Sequence, residues 1–135
     1  MISNPYAAQL DVSILTAEPI ELVRILYRTA LGSVSAARAH LAAGEIQERS
    51  QAINKAVGIL HELAVSLNPE VGPALARTLA ELYDYMQRRL LQANCEQSDA
   101  PLAEVMGLLE TMTDAWCEAE PNGEQEARER VLVGR

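Results

Sequence analysis

The sequence predicts an all-α protein: an antiparallel up-down four-helix bundle with an N-terminal lid segment and a short charged C-terminal tail. Three observations lead there. Apolar residues recur at heptad spacing in four stretches of helical length. A few breaks rich in Gly, Pro and Asn separate those stretches. No stretch sustains the alternation of apolar and polar residues that a half-buried strand needs.

The first helix is expected from about Ala17 to Ala43. Thr16 suits the N-cap, and Pro19 is tolerated in the first turn, where its missing N–H has no intrahelical partner. Ile20, Tyr27, Val34 and Leu41 fall seven apart, with Val23, Ala30 and Ala37 three further on. Leu22, Ile25 and Leu26 widen this apolar face, so the first half of the helix is expected to meet more than one neighbour. Gly44 suits the left-handed position that ends a helix.

The second helix is expected over about Glu45–Leu67, with Ile46, Ile53, Leu60 and Leu67 seven apart and Ser50, Val57 and Ala64 between them. The third runs from about Pro73 to Asn94 and carries Leu75, Leu79, Leu82, Met86, Leu90 and Ala93. The fourth starts after a cap at Ser98 or Asp99 and carries Leu102, Val105, Leu109, Met112 and Trp116. Short connections make sequential helices antiparallel neighbours. Three regions follow: a lid segment over 1–15, a bundle over 16–120 and a tail over 121–135. The lid segment contains Tyr6, Leu10, Val12, Ile14 and Leu15, too apolar a set to stay in water. Tyr6 and Leu10 are four apart and share a side of any helical turn. In the tail, Val131-Leu132-Val133 is an apolar knot.

The 135 residues suit one domain, with 49% hydrophobic and 22% charged residues, which excludes a wholly disordered chain. Aromatic residues make up 4% and Phe is absent, so the core is expected to be aliphatic. The formal net charge of −8 argues against nucleic acid, which needs clustered Lys and Arg. No run of ~18–20 apolar residues is present for a membrane span. The first residues lack the basic and apolar regions of a secretory signal, so the expected location is the cytoplasm.

No chemistry stands out. Di-iron bundles need Glu-x-x-His, but Gly58 precedes His61 by three and Ala37 precedes His40 by three. His61-Glu62 begins like a zinc-protease motif, yet Val65 stands where the second His would be. Antiparallel packing of the last two helices could bring Cys95 near Cys117, although two reduced thiols are the simpler reading. No metal, cofactor or enzymatic activity is expected. Arg88-Arg89, beside Tyr83 and Tyr85, has two readings. The Arg stems cover the bundle seam, or the cluster forms a partner surface.

Four blocks carry the reading further. They are Asn4-Pro5-Tyr6 with Val12, Thr16-Ala17-Glu18-Pro19, Leu26-Tyr27 and Ala30; Ile53-Asn54-Lys55-Ala56 with Ile59-Leu60, Leu63 and Ser66-Leu67; Leu82-Tyr83-Asp84-Tyr85-Met86 with Arg89-Leu90 and Ala93-Asn94; and Trp116 closing the last helix. In this order, over residues 4 to about 118, the chain resembles the flagellin export chaperone family, FliS. It departs at Gln9, where the family often has Tyr, and at Arg28-Thr29, where Asp-Gly is common.

The resemblance implies a cytoplasmic chaperone that binds the disordered C-terminal segment of flagellin, prevents premature polymerisation and assists delivery to the type III export gate. Grooves between helices can hold an amphipathic segment without any chemistry. On the matching blocks, the candidate client-binding residues are Asn54, Tyr83, Tyr85, Arg89 and Asn94, each of which could instead serve packing or capping. Tyr6 and Leu10 belong to a lid expected to cover the groove until the client displaces it. A helical adaptor for a different secreted client is the alternative function. Monomer and weak homodimer are both compatible with the sequence, since a groove that holds a client could hold another copy.

Overall fold

The computed structural model describes residues 20–70 and 72–118. The expected lid, with Tyr6 and Leu10, and the expected tail lie outside them. Four helices follow one another: α1 (Ile20–Ala43), α2 (Ile46–Val65), α3 (Pro73–Glu96) and α4 (Asp99–Glu118). α1 packs on α2, α2 on α3, α3 on α4, and α4 closes back onto α1. This is the up-down four-helix bundle, with α1 opposite α3 and α2 opposite α4. No strand occurs among the described residues.

The connections explain the antiparallel order. Gly44 takes φ 74° at the end of α1, a backbone conformation that suits a residue without Cβ. The next N–H, of Glu45, returns to the His40 carbonyl at 2.9 Å, and the Glu45 carboxylate meets His40 Nδ1 at 2.6 Å. α2 begins at once. Ser66 ends α2 by donating its hydroxyl to the Glu62 carbonyl at 2.7 Å. Pro73 then opens α3, where it removes no intrahelical bond. Gln97 adopts φ 54° after α3 and turns the chain into α4.

The α4 stripe is as expected: Leu102, Val105, Leu109, Met112 and Trp116 are all buried. In α1, Val23, Tyr27, Ala30, Val34 and Ala37 are buried, with Ile20 and Leu41 packed against them. α2 differs from expectation. Its buried face runs Arg49, Ile53, Ala56, Leu60 and Leu63, so the intermediate seam positions come three residues after Ile53 and Leu60 rather than four. Ile46 is 59% exposed, because the seam enters α2 at Arg49. In α3, Tyr83 and Ala76 are buried where Leu82 and Leu75 were expected; those leucines pack at the edge of the core.

Cys95 and Cys117 are free and exposed. Antiparallel packing separates them rather than joining them. Cys95 lies beside the α3–α4 turn, and Cys117 lies eighteen residues along α4 from its start, about 27 Å at 1.5 Å per residue.

Candidate functional site

The five candidate residues fall in four places. Tyr83 is in the core, 1% exposed, and its hydroxyl shares a buried hydrogen bond with that of Tyr27. Burial pushes the Tyr27 phenol up to about 12, with Tyr83 and Trp116 partly offsetting it. Burial likewise raises the Tyr83 phenol well above its ordinary value. A neutral, hydrogen-bonded tyrosine is the form that a low-dielectric core favours.

Asn94 lies at the α2–α3 seam. Its side-chain oxygen accepts from Arg49 Nε at 2.9 Å and from the Ser50 hydroxyl at 3.2 Å. Arg49 also reaches the Asn94 carbonyl at 3.5 Å. Arg49 is buried, and Asn94 thereby supplies an acceptor that a buried guanidinium requires.

Tyr85 and Arg89 stand together on the α4-facing side of α3. The Tyr85 hydroxyl donates to Glu104 Oε2 at 2.6 Å, and Arg89 Nε donates to Glu104 Oε1 at 2.7 Å. Arg89 also donates to Gln92 Oε1 at 2.8 Å. The Tyr85 bond foremost, then Arg89, holds the Glu104 carboxyl below the usual range. The same bond to Glu104 raises the Tyr85 phenol. This clasp links α3 to α4 and leaves the aromatic ring of Tyr85 half-buried at the surface.

Asn54 is exposed on α2 and lines an open groove of about 370 Å³ between α1 and α2. Leu22 and Leu26 supply the α1 wall; Lys55, Gly58, Ile59 and Glu62 complete the α2 side. Leu22 is 39% exposed, and neighbouring Ile25 is 49% exposed. The surplus of apolar residues at the start of α1 therefore reaches solvent beside a groove. A second open groove, of about 390 Å³ between α1 and α4, holds Arg38. Its guanidinium grips Asp99 with two bonds, at 2.8 and 2.9 Å, which holds the Asp99 carboxyl below the usual range.

The sequence-based candidates did not include Leu22, Ile25, Leu26, Gly58 or Ile59 as site residues. The available signal was the width of the apolar face on α1, broader than one seam can cover. Among the described residues no three His, Cys, Asp or Glu side chains gather as a metal site. No described helix is long and apolar enough to cross a membrane.

Residues 2–123 match the family described as Flagellar protein FliS. The chain belongs to the FliS family. It is 37% identical to the flagellar secretion chaperone FliS of Salmonella typhimurium over 125 residues, covering 90% of this chain and 93% of that protein. It is 36% identical to the Bacillus subtilis protein of the same name, covering 87% of each. It is 33% identical to the flagellar secretion chaperone FliSB of Pseudomonas aeruginosa, covering 79% of this chain and 85% of that one. FliS proteins are flagellar export chaperones, not enzymes.

Proposed function

We propose that this protein is a cytoplasmic chaperone that holds the C-terminal segment of flagellin, prevents its premature polymerisation and assists its delivery to the flagellar type III export gate. The observation that carries this reading is the open apolar groove between α1 and α2, flanked by exposed Leu22 and Ile25, on a chain of the FliS family. Exposed apolar surface is unfavourable by roughly 25 cal/mol per Å². A client with an amphipathic face relieves that, and its own assembly face is then occupied. Ordering a disordered segment costs several kcal/mol, so a long wrapped interface is favoured over one pocket.

Asn54 meets the client at the α1–α2 groove. Tyr85 and Arg89 meet it at a second edge, where Glu104 holds both in place. Tyr83 and Asn94 act indirectly, by fixing the core and the α2–α3 seam that present those surfaces. Residues 1–15 are the lid. Tyr6 and Leu10 cover the groove in the free protein, because their apolar side chains and the exposed Leu22 and Ile25 are both unfavourable in water. Flagellin displaces them.

Co-purification tests this. Full-length flagellin is expected to be retained by the protein, and flagellin lacking its C-terminal segment to be lost. Equal retention of the two would refute the reading.

A further inference from the structure

Gly58 sits in the middle of α2, exposed, at the groove between α1 and α2. Among the described residues nothing calls for glycine there. A Cβ added at Gly58 would meet no atom of the described residues within 4 Å. Its φ is not positive, since Gly44 is the only described glycine in that region. Glycine in a helix interior nevertheless disfavours folding, by about fivefold in the equilibrium relative to alanine. One benefit that glycine offers at such a place is close approach by another backbone.

We infer that Gly58 is the point where the backbone of a bound amphipathic helix comes closest to α2, and that its missing side chain sets the affinity of the groove. This rests on the reading of flagellin's C-terminal segment as the client. The rim of the groove suits a helix lying along α2. Lys55 and Glu62 line it seven residues apart, two helical turns, and neither forms an ion pair with a described residue. An occupant with opposite charges at the same spacing complements both while Leu22, Leu26 and Ile59 take its apolar side. Gly32 and Gly107 provide an internal comparison. Both are exposed in mid-helix with equally open space around them, and neither lines this groove.

The test uses the full-length chain and purified monomeric flagellin. Gly58→Ala, Gly32→Ala and Gly107→Ala are each expected to raise the thermal midpoint by a few degrees. Only Gly58→Ala is expected to weaken flagellin binding, about fivefold, with Gly58→Leu weakening it at least on the order of tenfold. Amide exchange over residues 54–62 is expected to slow in the wild-type complex. If wild type binds flagellin and both Gly58 variants bind equally well, or if exchange over 54–62 is unchanged, the inference is overturned and the chaperone reading stands. If wild type does not bind flagellin, both fall.

Discussion

The hydroxyls of Tyr27 and Tyr83 share a hydrogen bond at the centre of the bundle, joining α1 to α3 from opposite corners. The two rings lie 6.4 Å apart, and Tyr27 stands 5.9 Å from Trp116 of α4. In a chain without Phe, this cluster supplies the large rigid volume of an otherwise aliphatic core. It links three of the four helices.

Removing either hydroxyl leaves the other buried without that partner, which costs about 1–3 kcal/mol. Tyr27→Phe and Tyr83→Phe are therefore each expected to lower stability in urea denaturation. The double variant is expected to lose less than the sum, because no orphaned hydroxyl remains. Strict additivity would mean that the two hydroxyls do not depend on each other.

The same pair predicts alkaline sensitivity. Both phenols titrate above their ordinary value of 10 in the folded protein. Above that pH the unfolded chain loses these protons first, so the stability these phenols contribute is complete below pH 10 and declines as pH rises, toward about 12 for Tyr27. Thermal midpoints measured across this range are expected to fall less steeply in Tyr27→Phe. An identical slope would assign the decline to other groups.

Asn94 and Asn54 are expected to separate stability from binding. Asn94→Ala removes an acceptor from buried Arg49 and is expected to lose about 1–3 kcal/mol, while the folded fraction still binds flagellin. Asn54→Ala changes an exposed side chain and is expected to stay within about 0.5 kcal/mol of wild type while binding flagellin more weakly. Denaturation and titration calorimetry read the two effects. The reverse pattern would move the client to the α2–α3 seam.

Much of the fold was legible in periodicity alone. The α4 stripe could be read residue for residue because every heptad position there is apolar and faces inward. α2 was harder. Hydropathy ranks Ile46 above Arg49, yet Ile46 lies outside the seam while Arg49 is held there by Asn94. A buried guanidinium depends on an acceptor from another helix, which a local pattern does not contain. Tyr83 illustrates a second limit. The block Leu82-Tyr83-Asp84-Tyr85 marks the family, but only α3's packing reveals that Tyr83 points to Tyr27 while Tyr85 reaches Glu104. The α1–α2 groove was half legible, in the excess of apolar residues at Leu22, Ile25 and Leu26. Where that excess becomes a groove depends on how α2 is rotated.

The rotation of α2 can be checked directly. Ile46→Gln is expected to change stability by no more than about 0.5 kcal/mol. Ile53→Ala, in the fully buried seam, is expected to cost about 2–5 kcal/mol. Comparable losses in denaturant would place Ile46 in the core.

Deleting residues 1–15 is expected to increase binding of an apolar fluorescent dye and to raise the apparent affinity for flagellin, because lid opening no longer opposes the client. Reduced affinity would mean that the segment contacts flagellin itself. Unchanged dye binding and affinity would mean that it covers no groove.

The central claim is that the bundle holds the C-terminal segment of flagellin by ordering it against apolar grooves. Titration calorimetry of the full-length protein with monomeric flagellin tests this most directly. The expected result is a 1:1 complex with favourable enthalpy, unfavourable entropy and a negative heat-capacity change, abolished when flagellin lacks its C-terminal segment. Binding that survives the truncation with the same heat-capacity change would contradict the claim.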